Sequence, residues 1–126
     1  MTRKEVSEFE KLEIQLKSLH EEVSSLSKKS QNDSLNKFKL KLINTTISNA
    51  NGVLGDKYKP YSDFEQFDDN DIPSNSDAAI MIGQYLSCME KLRADNVIQN
   101  PRLQWVWKID DYISDIRTTT PKKIIK

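Results

Sequence analysis

From Thr2 to Asn36 the chain contains neither glycine nor proline, and its apolar residues recur at Phe9, Leu12, Leu16, Leu19, Val23 and Leu26. Steps alternating between three and four residues hold one seam along one side of a helix for about three heptads. Glu, Lys, Leu and Gln surround the seam and are strong helix formers. The pattern therefore predicts a long, coiled-coil-like helix over residues 2–31, spanning ~45 Å. Such a helix needs an apolar surface to lie on, supplied either by the rest of this chain or by a second chain. The six seam residues are the candidate partner-binding positions. The flanking charges bear on how two copies would pair. A parallel homodimer sets Glu8 against Glu13 of the other copy, whereas an antiparallel one sets Glu8 near Lys29 and Glu13 near His20, each worth about 0.3 kcal/mol at an exposed site. Ile14 lies opposite the seam, which predicts contact on a second side and favours a bundle over an isolated rod.

The seam is lost in the polar stretch "SKKSQNDSLN", where the helix is expected to bend or stop. Asp33 or Ser34 can cap a second helix over residues 34–51. Leu35, Phe38 and Leu42 form one stripe on it, and Leu40, Ile43, Ile47 and Ala50 form another, so a wide buried face is expected. Asn51-Gly52 and Gly55 supply the expected stop. An acidic connection over 52–74 follows, in which Tyr58, Tyr61, Phe64 and Phe67 recur every third residue and are expected to pin it to the bundle.

The run "FDDNDIPSNSD" resembles a calcium loop in composition but not in spacing. Counting from Asp69, positions 5, 6 and 12 are Pro73, Ser74 and Ile80, where such a loop needs an oxygen ligand, glycine and glutamate. The same residues suit a helix start, with Asp71 or Ser74 as the cap and acids in the first turn. A third, central helix is predicted over 75–97, with Ala78, Ile82, Tyr85, Met89 and Leu92 on its apolar stripe. Cys88 falls inside that apolar run as a core thiol, with Lys91 and Arg93 expected to point to water.

Residues 101–118 support two structures. Asn100-Pro101 is a helix start, and Trp105, Ile109, Tyr112 and Ile116 keep helical spacing. Yet Leu103, Trp105, Trp107 and Ile109 alternate, and Asp110-Asp111 suits a hairpin turn. Trp107 falls off the helical stripe and is a candidate exposed partner-binding anchor. A basic tail, 119–126, closes the chain.

Composition narrows the function classes. A chain of 126 residues with 37% hydrophobic and 30% charged residues fits one soluble, mainly α domain, a helical bundle. Its 19 basic and 19 acidic residues cancel, which removes any overall pull towards nucleic acid or anionic lipid. One cysteine excludes an internal disulfide, and no apolar run resembles a signal or membrane segment, so a cytoplasmic location is expected. No membrane partner, cofactor or small-molecule substrate is expected. One histidine, three scattered glycines and no clustered metal ligands carry no catalytic signature. The expectation is a non-catalytic interaction module, an accessory subunit, adaptor or inhibitor, that self-associates or docks into a larger assembly through its long first helix. The alternative is a small nucleic-acid-binding accessory protein using Arg102, Trp105, Lys108, Arg117, Lys122 and Lys123, since cations beside aromatics can follow a backbone and stack bases.

Overall fold

The computed structural model describes residues 1–122, so Lys123 and the end of the basic tail lie outside the described residues. The first helix, α1 (Arg3–Ser30), starts with a capping box. Thr2 Oγ1 accepts from the Glu5 amide at 3.1 Å, and Glu5 Oε1 accepts from the Thr2 amide at 3.0 Å. The same bonds hold the Glu5 carboxyl below its ordinary value. The second helix, α2 (Lys37–Tyr58), is capped by Asn36, whose side chain accepts from the Lys39 amide at 2.8 Å. It does not stop at Asn51-Gly52 as expected. It runs through Gly52 and kinks at Gly55, where φ is 66° and ψ −177°. The third, α3 (Asn75–Ala94), is capped by Ser74, which accepts from the Asp77 amide at 3.1 Å. It ends short of the expected residue 97 because Val97 already belongs to a strand.

The C-terminal segment is a sheet, and the helical reading of 101–118 is overturned. Strands β1 (Val97–Gln99), β2 (Trp105–Ile109) and β3 (Tyr112–Arg117) form an antiparallel sheet in the order β1-β2-β3. Asp110 and Asp111 both take positive φ, 49° and 67°, the geometry that a tight two-residue hairpin demands. Asn100-Pro101 begins a turn instead of a helix, with the Leu103 amide donating to the Asn100 carbonyl at 2.9 Å.

One apolar cluster joins all three helices and β2. Val6, Phe9, Leu12, Leu16 and Val23 of α1 are buried in it, with Leu19 and Leu26 half-buried against it. The seam therefore faces this chain's own core. The expectation that these six residues present themselves to a second chain is corrected: α3 and α2 cover the stripe. Trp107 is corrected as well, being 0% exposed. As a strand residue it points inwards, and its ring meets Phe9 edge-on at 5.1 Å between centroids. A third correction concerns α2, whose Leu40, Ile43, Ile47 and Ala50 are buried while Phe38 and Leu42 are 69% and 42% exposed. α2 turns only one of its two apolar stripes towards the bundle.

Hydrogen bonds lock both ends of the bundle. At one end the amides of Leu35, Asn75 and Ser76 donate to the carbonyls of Pro73, Asp33 and Gln31. At the other, the Asp110 amide donates to the Met1 carbonyl at 3.0 Å, and Arg3 pairs with Asp115 at 2.9 Å, which seats the hairpin against the start of α1. Phe64 and Phe67 pack the acidic connection onto the core as expected, and Asn44 exchanges two hydrogen bonds with the Phe67 backbone. Tyr61 stays 46% exposed.

Candidate functional site

Alternation along β2 sends Trp107 and Ile109 to the core and leaves Val106 and Lys108 on the opposite face of the sheet. Strand register sets Ile98, Val106 and Arg117 in one row across that outer face, with Lys108 opposite Ile113 in the next. Val106 is 1% exposed although it lies outside the core cluster, flanked by its cross-strand neighbours. Ile113 is 51% exposed, and Leu103 and Tyr112 at the margins are 75% and 77% exposed. The face thus combines exposed aliphatic surface with two cations, while Tyr112, opposite Ile109, belongs to the other face.

Those cations have no counter-charge in contact among the described residues. Among the described residues, neither Lys108 nor Arg117, nor Arg102 in the turn before β2, has a carboxylate within ion-pair distance. The nearby Asp115 is engaged by Arg3, which holds its carboxyl below the ordinary range. The free edge of β3 is blunted. Three residues, Ser114 to Ile116, stand opposite the single Trp107, and the Ile116 amide is taken by Ser114 Oγ at 3.1 Å. Such a bulge discourages strand addition at that edge, so the open feature is the face.

The residues of the nucleic-acid alternative are only partly gathered. Lys108 and Arg117 share the outer face, but Trp105 and Trp107 alternate to the other side, half-buried and buried. Lys122, its amide donating to Glu90 Oε2 at 3.2 Å, lines a groove with Arg117 beside Glu10, Glu13 and Glu90. The cations are therefore separated from the tryptophans on which bases would stack.

Sequence reasoning missed the polar group that ties down the chain after β3. Arg93, expected to point to water, is 3% exposed. Its Nε and Nη2 donate to the two oxygens of Glu90 at 2.9 and 2.7 Å. Its Nη1 donates to Thr118 Oγ1 at 3.0 Å and to the Thr119 carbonyl at 2.7 Å, and Nη2 also reaches the Thr120 carbonyl at 3.2 Å. This clamp secures Thr118 to Thr120 against α3. The only signal for it was an i,i+3 Glu–Arg pair in the last turns of α3.

The groups most suited to nucleophilic chemistry are held in their protonated forms. Burial pushes the Cys88 thiol up, and burial also raises Tyr85, whose hydroxyl donates to Asn51 Oδ1 at 2.6 Å. Tyr58 is pushed up to about 12 by its hydrogen bond to Asp95, with burial adding to the shift. His20 lies against α3 at Gly83, where an added Cβ would stand 3.4 Å from His20 Nε2. Among the described residues, no three His, Cys, Asp or Glu side chains gather where they could hold a metal ion. None of the described helices is long and apolar enough to cross a membrane. An open groove of about 630 Å³ lies between α1 and α2, lined by Glu8, Leu12, Gln15, Asn49 and Val53 among others. No protein-family model matches the chain, and neither a curated protein nor a solved structure does.

Proposed function

We propose that this protein is a non-catalytic interaction module, an accessory subunit, adaptor or inhibitor, whose outer sheet face docks an acidic protein segment carrying apolar anchors. One observation carries the reading: Lys108 and Arg117, neither with an ion-pair partner among the described residues, stand beside exposed Ile98 and Ile113 on the outer face of the sheet. Exposed apolar surface next to unpaired cations complements a segment that alternates apolar and acidic groups. The raised thiol and phenols support the non-catalytic part of the reading, since each disfavours the anionic nucleophile. A single half-buried thiol is compatible with the reducing cytoplasm.

Fluorescence anisotropy with short labelled peptides tests this. Peptides rich in Glu with Ile and Phe anchors should bind saturably, those with Lys in place of Glu should not, and Lys108→Glu with Arg117→Glu should abolish the binding. Failure of the acidic peptides to bind would reject the reading. Binding of single-stranded DNA or RNA that the same double substitution removes would replace it with the nucleic-acid alternative.

A further inference from the structure

The exposed apolar residues of α2 lie on the side of the bundle formed by α1 and α2, away from α3 and the sheet. Phe38 is 69% and Leu42 42% exposed, while Leu40 and Ile43 are buried on the other side of the helix. A single cross-helix ion pair, Lys39 Nζ to Glu22 Oε1 at 2.9 Å, sets the register of the two antiparallel helices. Counting from it, Leu42 stands level with Leu19 and Phe38 level with Val23. The exposed pair thus lies near the midpoint of α1, beside half-buried Leu19 and Leu26. A groove of about 630 Å³ continues the same side of the bundle towards the start of α1.

Charge is distributed unevenly along this side. Glu8 lines the groove at one end, with Lys11 a turn further on, and Lys29 is exposed in the last turn of α1 at the other. Among the described residues neither Glu8 nor Lys29 has an ion-pair partner. They occupy equivalent heptad positions, roughly 31 Å apart along the helix. A surface with an unpaired acid at one end, an unpaired base at the other and apolar residues between is complementary to its own copy turned end for end.

We propose that the chain forms a two-fold antiparallel homodimer through the α1/α2 side, with Leu42 close to the symmetry axis and Glu8 of each copy facing Lys29 of the other. The seam takes no part, because it is buried in each chain's own core. Two helices side by side offer a face about 30 Å long and about 20 Å wide, of the order of the 800 Å² per partner that a specific interface requires. The outer face of the sheet stays open, so dimerisation and docking are separable.

Sedimentation equilibrium over a concentration series, with the full chain, tests the dimer. The expected result is a concentration-dependent rise to twice the monomer mass. Leu42→Asp should leave a monomer, with the helical circular dichroism unchanged. Glu8→Lys alone and Lys29→Glu alone should each weaken dimerisation by about tenfold, because symmetry turns both end contacts into repulsions. The double variant carrying both changes should recover most of the loss, a rescue that no effect on monomer folding would produce. Lys108→Glu with Arg117→Glu should leave the dimer intact, so failure of the docking reading and failure of this one are distinguishable. A chain that stays monomeric at all concentrations, or a dimer insensitive to Leu42→Asp and to both charge reversals, would overturn the proposal.

Discussion

Phe9 and Trp107 meet edge to face, their ring centroids 5.1 Å apart and their planes inclined at 70°, with both side chains fully buried. The contact joins the first helix to the central strand and makes the sheet part of the same core as the bundle. Truncating Trp107 to Ala is expected to lower stability by about 3–5 kcal/mol, as for other buried aromatics. A double-mutant cycle with Phe9→Ala should give a coupling of about 0.5–1.5 kcal/mol for the ring pair itself. Urea denaturation measures both quantities, and a Trp107→Ala loss below 1 kcal/mol would contradict the burial. Trp107→Phe should cost less than Trp107→Ala, because it keeps an aromatic ring in the core while both changes remove a buried indole N–H that has no acceptor among the described residues.

Arg93 and Glu90 provide a second test of burial. Their side chains are 4% and 15% exposed, and three of the hydrogen bonds made by Arg93 reach Thr118, Thr119 and Thr120. Removing one partner strands the other charge, so Arg93→Ala should cost about 3–5 kcal/mol. Hydrogen exchange locates the damage. The amide of Thr118, which donates to the Trp105 carbonyl, and that of Lys122, which donates to Glu90, should lose protection before the helical amides do. Uniform exchange across the domain would mean that the clamp is not local.

What the sequence disclosed follows the range of the interactions involved. The α1 seam was legible because helical periodicity is a property of neighbours three and four residues apart. The Asp110-Asp111 turn was visible as one of two readings, because two residues specify it while the helical spacing of Trp105, Ile109, Tyr112 and Ile116 competed with it. The side chains facing the α1 seam were not, since α3 and β2 are distant along the chain. Phe38 and Leu42 looked like core for a related reason: a stripe shows that a helix has an apolar side but not how many neighbours arrive to cover it. Of the candidate docking face, Lys108 and Arg117 stood out as cations among aromatics. Their separation from Trp105 and Trp107 appears only once strand register is known. Arg93 left little trace because two of the groups it holds are backbone carbonyls, which every residue carries.

The Tyr58–Asp95 hydrogen bond, 2.7 Å long, predicts an effect of pH at both extremes. Its donation to Asp95 raises the folded phenol from its ordinary 10.0 to about 12. The bond therefore favours the fold fully below pH 10, and the contribution disappears as pH rises through the folded value. Asp95 shows the opposite sign. Its carboxyl is held down first by Tyr58 and then by Lys91, so its contribution is present above the unfolded carboxyl range and fades as pH falls through the depressed folded value. Tyr58→Phe should flatten the stability profile at both ends and delete one late phenolate transition from an absorbance titration. A titration in which the variant retains every transition above pH 11 would contradict the assignment.

Gly52 and Gly55 lie within one turn of each other in α2, and substitution should move stability in opposite directions. A Cβ at either position meets nothing within 4 Å, so crowding does not distinguish them. Backbone conformation does. Gly52 lies within the helix and outside the positive-φ region, where alanine restricts the unfolded chain and favours the folded one. Gly52→Ala is therefore expected to stabilise by about 0.5–1 kcal/mol. Gly55 holds φ at 66° with ψ at −177°, a region reached almost only by glycine, and Gly55→Ala should cost about 1–3 kcal/mol. The kink also aims the last turn of α2, which carries Tyr58 towards Asp95 at the end of α3. Gly55→Ala should thus bring the late Tyr58 phenolate transition back towards the ordinary range, whereas Gly52→Ala leaves it in place. Thermal melts and absorbance titration of the two variants check both effects. Equal shifts in melting temperature would show that the kink does not depend on glycine.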